Sequence, residues 1–346
     1  MKDRRYIGIV MIILMLLSLT GCSKNETTDE EKVVEDEEML QIGMSFDSFV
    51  IERWQRDRDV FVAAAKELGA EVNVQNANGE VEEQIAQIEY FIDRKVDVIV
   101  VISIDGEKLV SSVAKAKRAG IKVIAYDRPI KYADSDLYIS FDNEAVGRMM
   151  AEALCAKLPS RSKIIMISGP TADSNVAMVN TGFESVVNRN MDEIIDITYA
   201  EGWRAEEAYN YINDHVATVA EANAIMCGND NLAGQAIKAL SERRLAGKVL
   251  IVGQDAELEA CQRIVEGTQL MTVYKPVEKL AKTAAEYAVK LAKGEDIGVS
   301  ETYQEGAYDI PCVTLEPIKV TKSNMDEVII DSGFHLREDV YMNVSE

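Results

Sequence analysis

The chain is short of histidine, of basic residues and of long apolar runs, and each shortage removes a class of function. Its 346 residues include two histidines, His215 and His335, far apart in a helical pattern and near the end of the chain. No G-x-G-x-x-G, Walker A or H-E-x-x-H motif accompanies them, so the usual cofactor and metallohydrolase signatures are missing. Acidic residues outnumber basic ones 59 to 37, for a formal charge of -22. A nucleic-acid partner needs a basic surface and is excluded; an acidic surface favours solubility. Of the five cysteines, Cys155, Cys227, Cys261 and Cys312 fit neither a zinc spacing nor C-x-x-C. Cys155 and Cys261 fall in helical patterns and Cys227 ends a buried strand. Free buried thiols are expected, with no disulfide, metal or cofactor.

The most apolar stretch near the start, Ile7 to Leu17, is shorter than the roughly 20 residues that span a bilayer. Lys2, Arg4 and Arg5 precede it, and Leu19-Thr20-Gly21-Cys22 closes it with small residues before a cysteine, which reads as a signal peptide. These last four residues resemble a bacterial lipobox. That resemblance implies cleavage before Cys22, acylation of its thiol, and a lipid anchor on the extracytoplasmic face of the bacterial cell membrane. Residues 23–39 are polar and acidic, with almost nothing to bury, and read as a disordered tether.

The length and the 47% hydrophobic content suit two domains with two cores. From Leu40 strand and helix patterns alternate: strands at 42–46, 71–74, 97–103 and 122–126, with helices at 52–68, 81–94 and 108–119 between them. A short strand at 138–140 follows. The rhythm restarts after Asn143, with strands at 163–167, 194–199, 224–227 and 249–252. Helices at 143–157, 176–189, 205–214, 232–243 and 258–266 accompany them. Strand 269–274 leads through Lys275-Pro276 into helix 277–293, and 313–320 is extended. Such repetition predicts an α/β fold of two similar Rossmann-like lobes, each a parallel sheet between helices. The segments past 270 are candidates to return to the first lobe.

In such sheets ligands bind beyond the carboxyl ends of the strands. The apolar run Val123 to Tyr126 stops at Asp127-Arg128, with Pro129 after it. A carboxylate acceptor beside a five-donor guanidinium suits vicinal hydroxyls, which both give and take hydrogen bonds. A surface ion pair is the alternative for this dipeptide by itself.

The stretches IERWQRDRDVF, VQNANGE, AYDRPI, YISFDNEAVG, CGNDNLAG, VGQDAEL, GTQLMTVYKP and DSGFH carry a closer identification. In order, from about Leu40 to Leu336, they resemble the ribose/galactose type of periplasmic binding proteins of bacterial ABC importers, and the D-xylose-binding members most. The resemblance implies two lobes joined by a three-crossing hinge and closing on one monosaccharide. It sets the crossings near Asp142-Asn143, Thr272 to Lys275 and Pro311. The lobes are then 40–142 with about 276–310, and 143–275 with about 311–336, followed by a tail at 337–346. Carried over residue by residue, the sugar contacts fall on Arg53, Asp127, Arg128, Asn175, Trp203, Asn229, Asp255 and Lys275, with Trp54 a further aromatic contact. Charged groups bond hydroxyls strongly, and indoles cover the apolar C–H faces of a pyranose. Trp54 as helix core and Asp230 or Asn231 as helix caps are the plainer readings of those residues. The loop Gly169 to Asn175 departs from the family pattern, and Thr171, Asp173 and Pro129 are departures that bear on which pentose or hexose fits.

Asp127 and Asp255 as a glycosidase pair are disfavoured, because Arg128 and Lys275 beside them lower carboxylate pKa values. No catalytic residue is expected. A repressor of the same fold would carry a helix-turn-helix head where this chain has a lipobox and an acidic tether. The expected partners are a monosaccharide, the membrane through the lipid anchor, and an ABC permease. The alternative to the permease is a sensor histidine kinase or chemoreceptor that reads the closed form.

Overall fold

A computed structural model describes residues 39–344. The expected signal peptide, Cys22 and nearly all of the acidic tether lie outside the described residues. Two parallel sheets organise the rest. The first has seven strands in the order β11-β12-β5-β4-β3-β1-β2. Its strands are β1 (Leu40–Phe46), β2 (Ala70–Asn76), β3 (Val98–Val101), β4 (Lys122–Tyr126), β5 (Leu137–Phe141), β11 (Thr302–Glu305) and β12 (Tyr308–Leu315). Only the β11–β12 pair is antiparallel. The second sheet runs β7-β6-β8-β9, all parallel, from β6 (Lys163–Ser168), β7 (Glu193–Tyr199), β8 (Ala224–Cys227) and β9 (Leu250–Val252). A small antiparallel ribbon joins β10 (Thr272–Tyr274) to β13 (Ile318–Val320).

Alternation along the strands explains why helices cover both faces. In β3, Val98 and Val100 face one core cluster and Ile99 and Val101 the other. The first cluster takes in Phe61 and Ala65 of α1 (Arg53–Glu67) and Leu280, Ala284 and Ala288 of α10 (Val277–Ala292). The second takes in Ile88 and Phe91 of α2 (Val81–Asp93) and Val113 and Ala116 of α3 (Val110–Arg118). In the four-stranded sheet, Ile164 and Met166 pack with α4 (Asn143–Cys155) and α5 (Ser174–Asn190). Ile165 and Ile167 share their cluster with α6 (Glu206–Asp214) and α8 (Asp230–Glu242). The short α7 (Val216–Glu221) and α9 (Leu258–Glu266) complete this half. Helices α4 and α5 cross backbone to backbone at Gly147 and Gly182. A Cβ on Gly147 would meet the carbonyl of Val179, and one on Gly182 the carbonyl of Glu144.

The chain passes between the sheets three times: from β5 into α4, from β10 into α10, and from β12 into β13. The third passage differs from expectation. Pro311 stands inside β12, which continues to Leu315, paired with Phe141 of β5. At Pro311 the strand pairs with Thr302 of β11, and its ladder with β5 begins at Cys312, so the missing N–H is not needed there. The segment after Leu336 is also more than a tail. It forms α11 (Arg337–Val340), and Val340 is buried with Ile264, Val265 and Phe334. Among the described residues no helix is long and apolar enough to cross a membrane.

Candidate functional site

Between the carboxyl ends of the two sheets lies a cavity whose walls come from both. Strand β4 ends at Tyr126, and Asp127 turns into left-handed backbone, φ 64°. Its N–H donates to the Ile139 carbonyl at 2.8 Å, and its own carbonyl accepts from Ser140 Oγ at 2.6 Å. That turn aims Asp127 and Arg128 into the cavity rather than along the sheet.

Arg53, the first residue of α1, donates from Nη2 to Asp127 Oδ1 at 2.9 Å and through Nε and Nη2 to Asp57, both at 3.3 Å. The Tyr126 hydroxyl also bonds Asp57. The Arg53 guanidinium lies 4.4 Å from the centre of the Trp54 ring, and that of Arg128 5.6 Å. Arg128 Nη1 donates to Asp47 at 2.7 Å and to the Ser103 carbonyl at 3.0 Å. Its Nε stands 2.7 Å from Asp173 Oδ2, on the other side of the cavity.

Asp173 caps α5: its Oδ1 accepts the Asn175 N–H at 2.9 Å, while Oδ2 accepts Trp203 Nε1 at 3.2 Å. The Trp203 ring packs against Gly169 and Gly228, and a Cβ on Gly169 would run into it. Only glycine permits so close an approach. Asn175 Nδ2 reaches across to the Asp127 carbonyl at 3.0 Å and its Oδ2 at 3.1 Å. After β9 the chain enters left-handed backbone twice, at Asp255 (φ 97°) and Ala256 (φ 53°). Asp255 Oδ1 lies 3.3 Å from Lys275 Nζ and 4.0 Å from Arg53 Nη1.

Three cations, Arg53, Arg128 and Lys275, thus interleave with Asp47, Asp57, Asp127, Asp173 and Asp255, all with side chains no more than 8% exposed. Burial pushes Asp127 up, but Arg53, Lys275 and Arg128 outweigh it and hold the carboxyl below its ordinary value. For Asp47, Asp57 and Asp173 burial prevails over the arginines, and each is raised. An Asp127 kept ionised is an acceptor and not a proton donor, so it is unsuited to general-acid work.

Several buried polar atoms around this network have no hydrogen-bond partner: Trp54 Nε1 and Asn229 Nδ2 as donors, Asn175 Oδ1, Gln254 Oε1 and Asp255 Oδ1 as acceptors. Such orphans are rare because they cost free energy. Of these, Trp54 Nε1, Asn175 Oδ1, Gln254 Oε1 and Asp255 Oδ1 belong to residues lining the cavity, and a donor and acceptors walled by indole match a molecule with several hydroxyls and an apolar face.

Of the nine residues expected here, Arg53, Trp54, Asp127, Arg128, Asn175, Trp203, Asp255 and Lys275 line the cavity. Trp54 is also core, 1% exposed and edge-on to Phe46 at 6.3 Å, so the two readings of it coexist. Asn229 is the exception. It follows the lining residue Gly228 in the chain and caps α8, its Oδ1 accepting from Leu232 N–H at 2.9 Å. The cap is therefore Asn229. Its neighbour Asp230 is instead a buried brace that accepts from Gln269 Nε2 at 2.7 Å and Thr272 Oγ1 at 2.6 Å. Asn175 lies in the first turn of α5, which begins at Ser174, two residues before the expected start at 176, so it belongs to the helix and not to the loop. Asp173 and Gln254 line the cavity without having been singled out as contacts. The D-S-N run was an available cap signal for Asp173, and Gln254, like Asp255, follows a strand end.

The chain matches the periplasmic binding protein domain over residues 42–296. It is 43% identical over 307 residues to the D-xylose-binding periplasmic protein of Haemophilus influenzae, covering 87% of this chain and 92% of that one. It is 44% identical to the D-xylose-binding periplasmic protein of Escherichia coli, over 86% of this chain and 91% of that one. Among solved structures, an ABC transporter solute binding protein from Clostridium phytofermentans with bound β-D-glucose superposes with a TM-score of 0.79 at 26% identity. The superposition covers 87% of this chain and 99% of that one. With two sheets, three passages between them and a shared cavity, the chain has the type I fold and belongs to the periplasmic binding protein domain family.

Proposed function

We propose that the chain binds D-xylose in this cavity and hands it to an ABC permease. The observation that carries the reading is the convergence of eight polar and indole side chains from both sheets on one space, with unpartnered donors and acceptors among them. The sugar's hydroxyls would bond Arg53, Asp127, Arg128, Asn175, Asp255 and Lys275, and Trp54 and Trp203 would cover its C–H faces. A site that bonds each hydroxyl rejects analogues lacking one, because a buried polar group is then left unpaired. The names of the relatives in Haemophilus influenzae and Escherichia coli support D-xylose over other sugars. Delivery from an anchor on the extracytoplasmic face rests on the residues ending at Cys22.

A thermal-shift panel of pentoses and hexoses tests the reading, since a ligand that binds only the folded state raises apparent stability by mass action. D-xylose is expected to give the largest shift. Equal or no shifts across the panel would reject it. Replacing Cys22 with Ala is expected to release the protein from membranes into the soluble fraction.

A further inference from the structure

The turn that presents Asp255 is an unusual one. Asp255 and Ala256 are successive non-glycine residues in left-handed backbone, an arrangement that persists only where its surroundings over-determine it. Two contacts come from the adjacent ribbon strand: Asp255 N–H donates to the Val273 carbonyl at 2.8 Å, and Ala256 N–H to Thr272 Oγ1 at 3.1 Å. The third comes from far along the chain. His335 Nε2 stands 2.8 Å from the Ala256 carbonyl. A carbonyl only accepts, so Nε2 carries the hydrogen and donates it.

His335 is itself held firmly. The Phe334 N–H donates to the Ile329 carbonyl at 3.1 Å, and the Phe334 ring packs 4.7 Å from Tyr274. Arg56 of α1 lies 4.2 Å over that ring and donates to the Phe334 carbonyl at 2.9 Å. The imidazole meets the Phe334 ring edge-on at 4.5 Å. We propose that His335 is a positioning residue for the sugar site: by bonding the Ala256 carbonyl it fixes the left-handed turn that points Asp255 at the ligand. The inference rests on the sugar-binding reading above. It gives the C-terminal segment a part in affinity although none of its atoms lines the cavity.

The test uses the full chain and D-xylose. In His335→Gln the side-chain amide reaches as far as Nε2, whereas in His335→Asn it falls short. Asn is expected to raise the dissociation constant roughly tenfold, the loss of one buried hydrogen bond, and Gln to hold it within about twofold. The Asn effect is expected to vanish in an Asp255→Asn background and to persist in an Asn229→Ala background. Full affinity in His335→Asn, or an equal loss in both backgrounds, would overturn the proposal. A second readout needs no sugar. Amide exchange at Ala256 is expected to speed up in the Asn variant and not in the Gln variant, and unchanged exchange in both would overturn it. A wild-type chain that ignores D-xylose would sink the sugar reading alone, and the exchange experiment would still decide the role of His335.

Discussion

Asp127 accepts from Arg53 and Asn175 at once, one from each half of the molecule, and its carbonyl is held by Ser140. Replacing it with Asn keeps the shape and removes the charge that balances Arg53. Arg53 keeps Asp57 but loses its shortest carboxylate contact, and the site loses a charged acceptor, so D-xylose affinity is expected to fall by about 100-fold, some 3 kcal/mol, in calorimetry. A second residue bears on pH. Burial, with Asp230, Asp255 and Glu52 nearby, pushes the Glu257 carboxyl up to about 9. The folded state therefore holds this proton more tightly than the unfolded chain. The stability it contributes is complete below the ordinary value of 4.5 and is lost as pH rises through about 9. In denaturant titrations from pH 5 to 9 the wild type is expected to lose more stability than Glu257→Gln, by up to about 1.4 kcal/mol per pH unit.

Element by element, what the sequence showed depended on how local the cause was. Strands β3 and β4 were plain because runs of β-branched and apolar residues bounded by polar ones need no tertiary context. The strand-end rule pointed to Asp127 and Arg128 for the same reason, whereas Asp255 came from the family resemblance. Strand β11 escaped notice because Thr302–Glu305 is polar and half-exposed, and its identity comes from pairing with β12. The resemblance set a crossing near Pro311, yet β12 runs on through it because its place opposite β11 tolerates a proline. Asp173 was marked only as a departure bearing on sugar choice and Gln254 not at all, because the contacts of Asp173 with Trp203 and Arg128 and the orphaned Oε1 of Gln254 exist only in the folded chain. The crossing of α4 and α5 at Gly147 and Gly182 is likewise a tertiary fact. Since the carbonyl of Glu144 leaves no room for a Cβ, Gly182→Ala is expected to destabilise the fold by about 3 kcal/mol in chemical denaturation. The gain from replacing a helical glycine, about 1 kcal/mol, does not offset that.

For the whole molecule, contacts such as Arg128 to Asp173 and Asn175 to Asp127 join the two sheets across the cavity itself. Under the proposed sugar-binding reading, entry of D-xylose requires these contacts to separate, and the bound sugar is expected to shift the balance toward the closed form. Small-angle scattering is expected to show a smaller radius of gyration with D-xylose than without it. An unchanged radius would argue against closure.

Both tryptophans of the chain stand in the wall of one cavity, and none lies elsewhere. Intrinsic emission excited near the red edge of the protein band is therefore a label-free optical probe of occupancy. Intensity or colour changes on titration originate at the indoles beside the ligand. A titration of the purified protein can read the site directly with nothing attached to it.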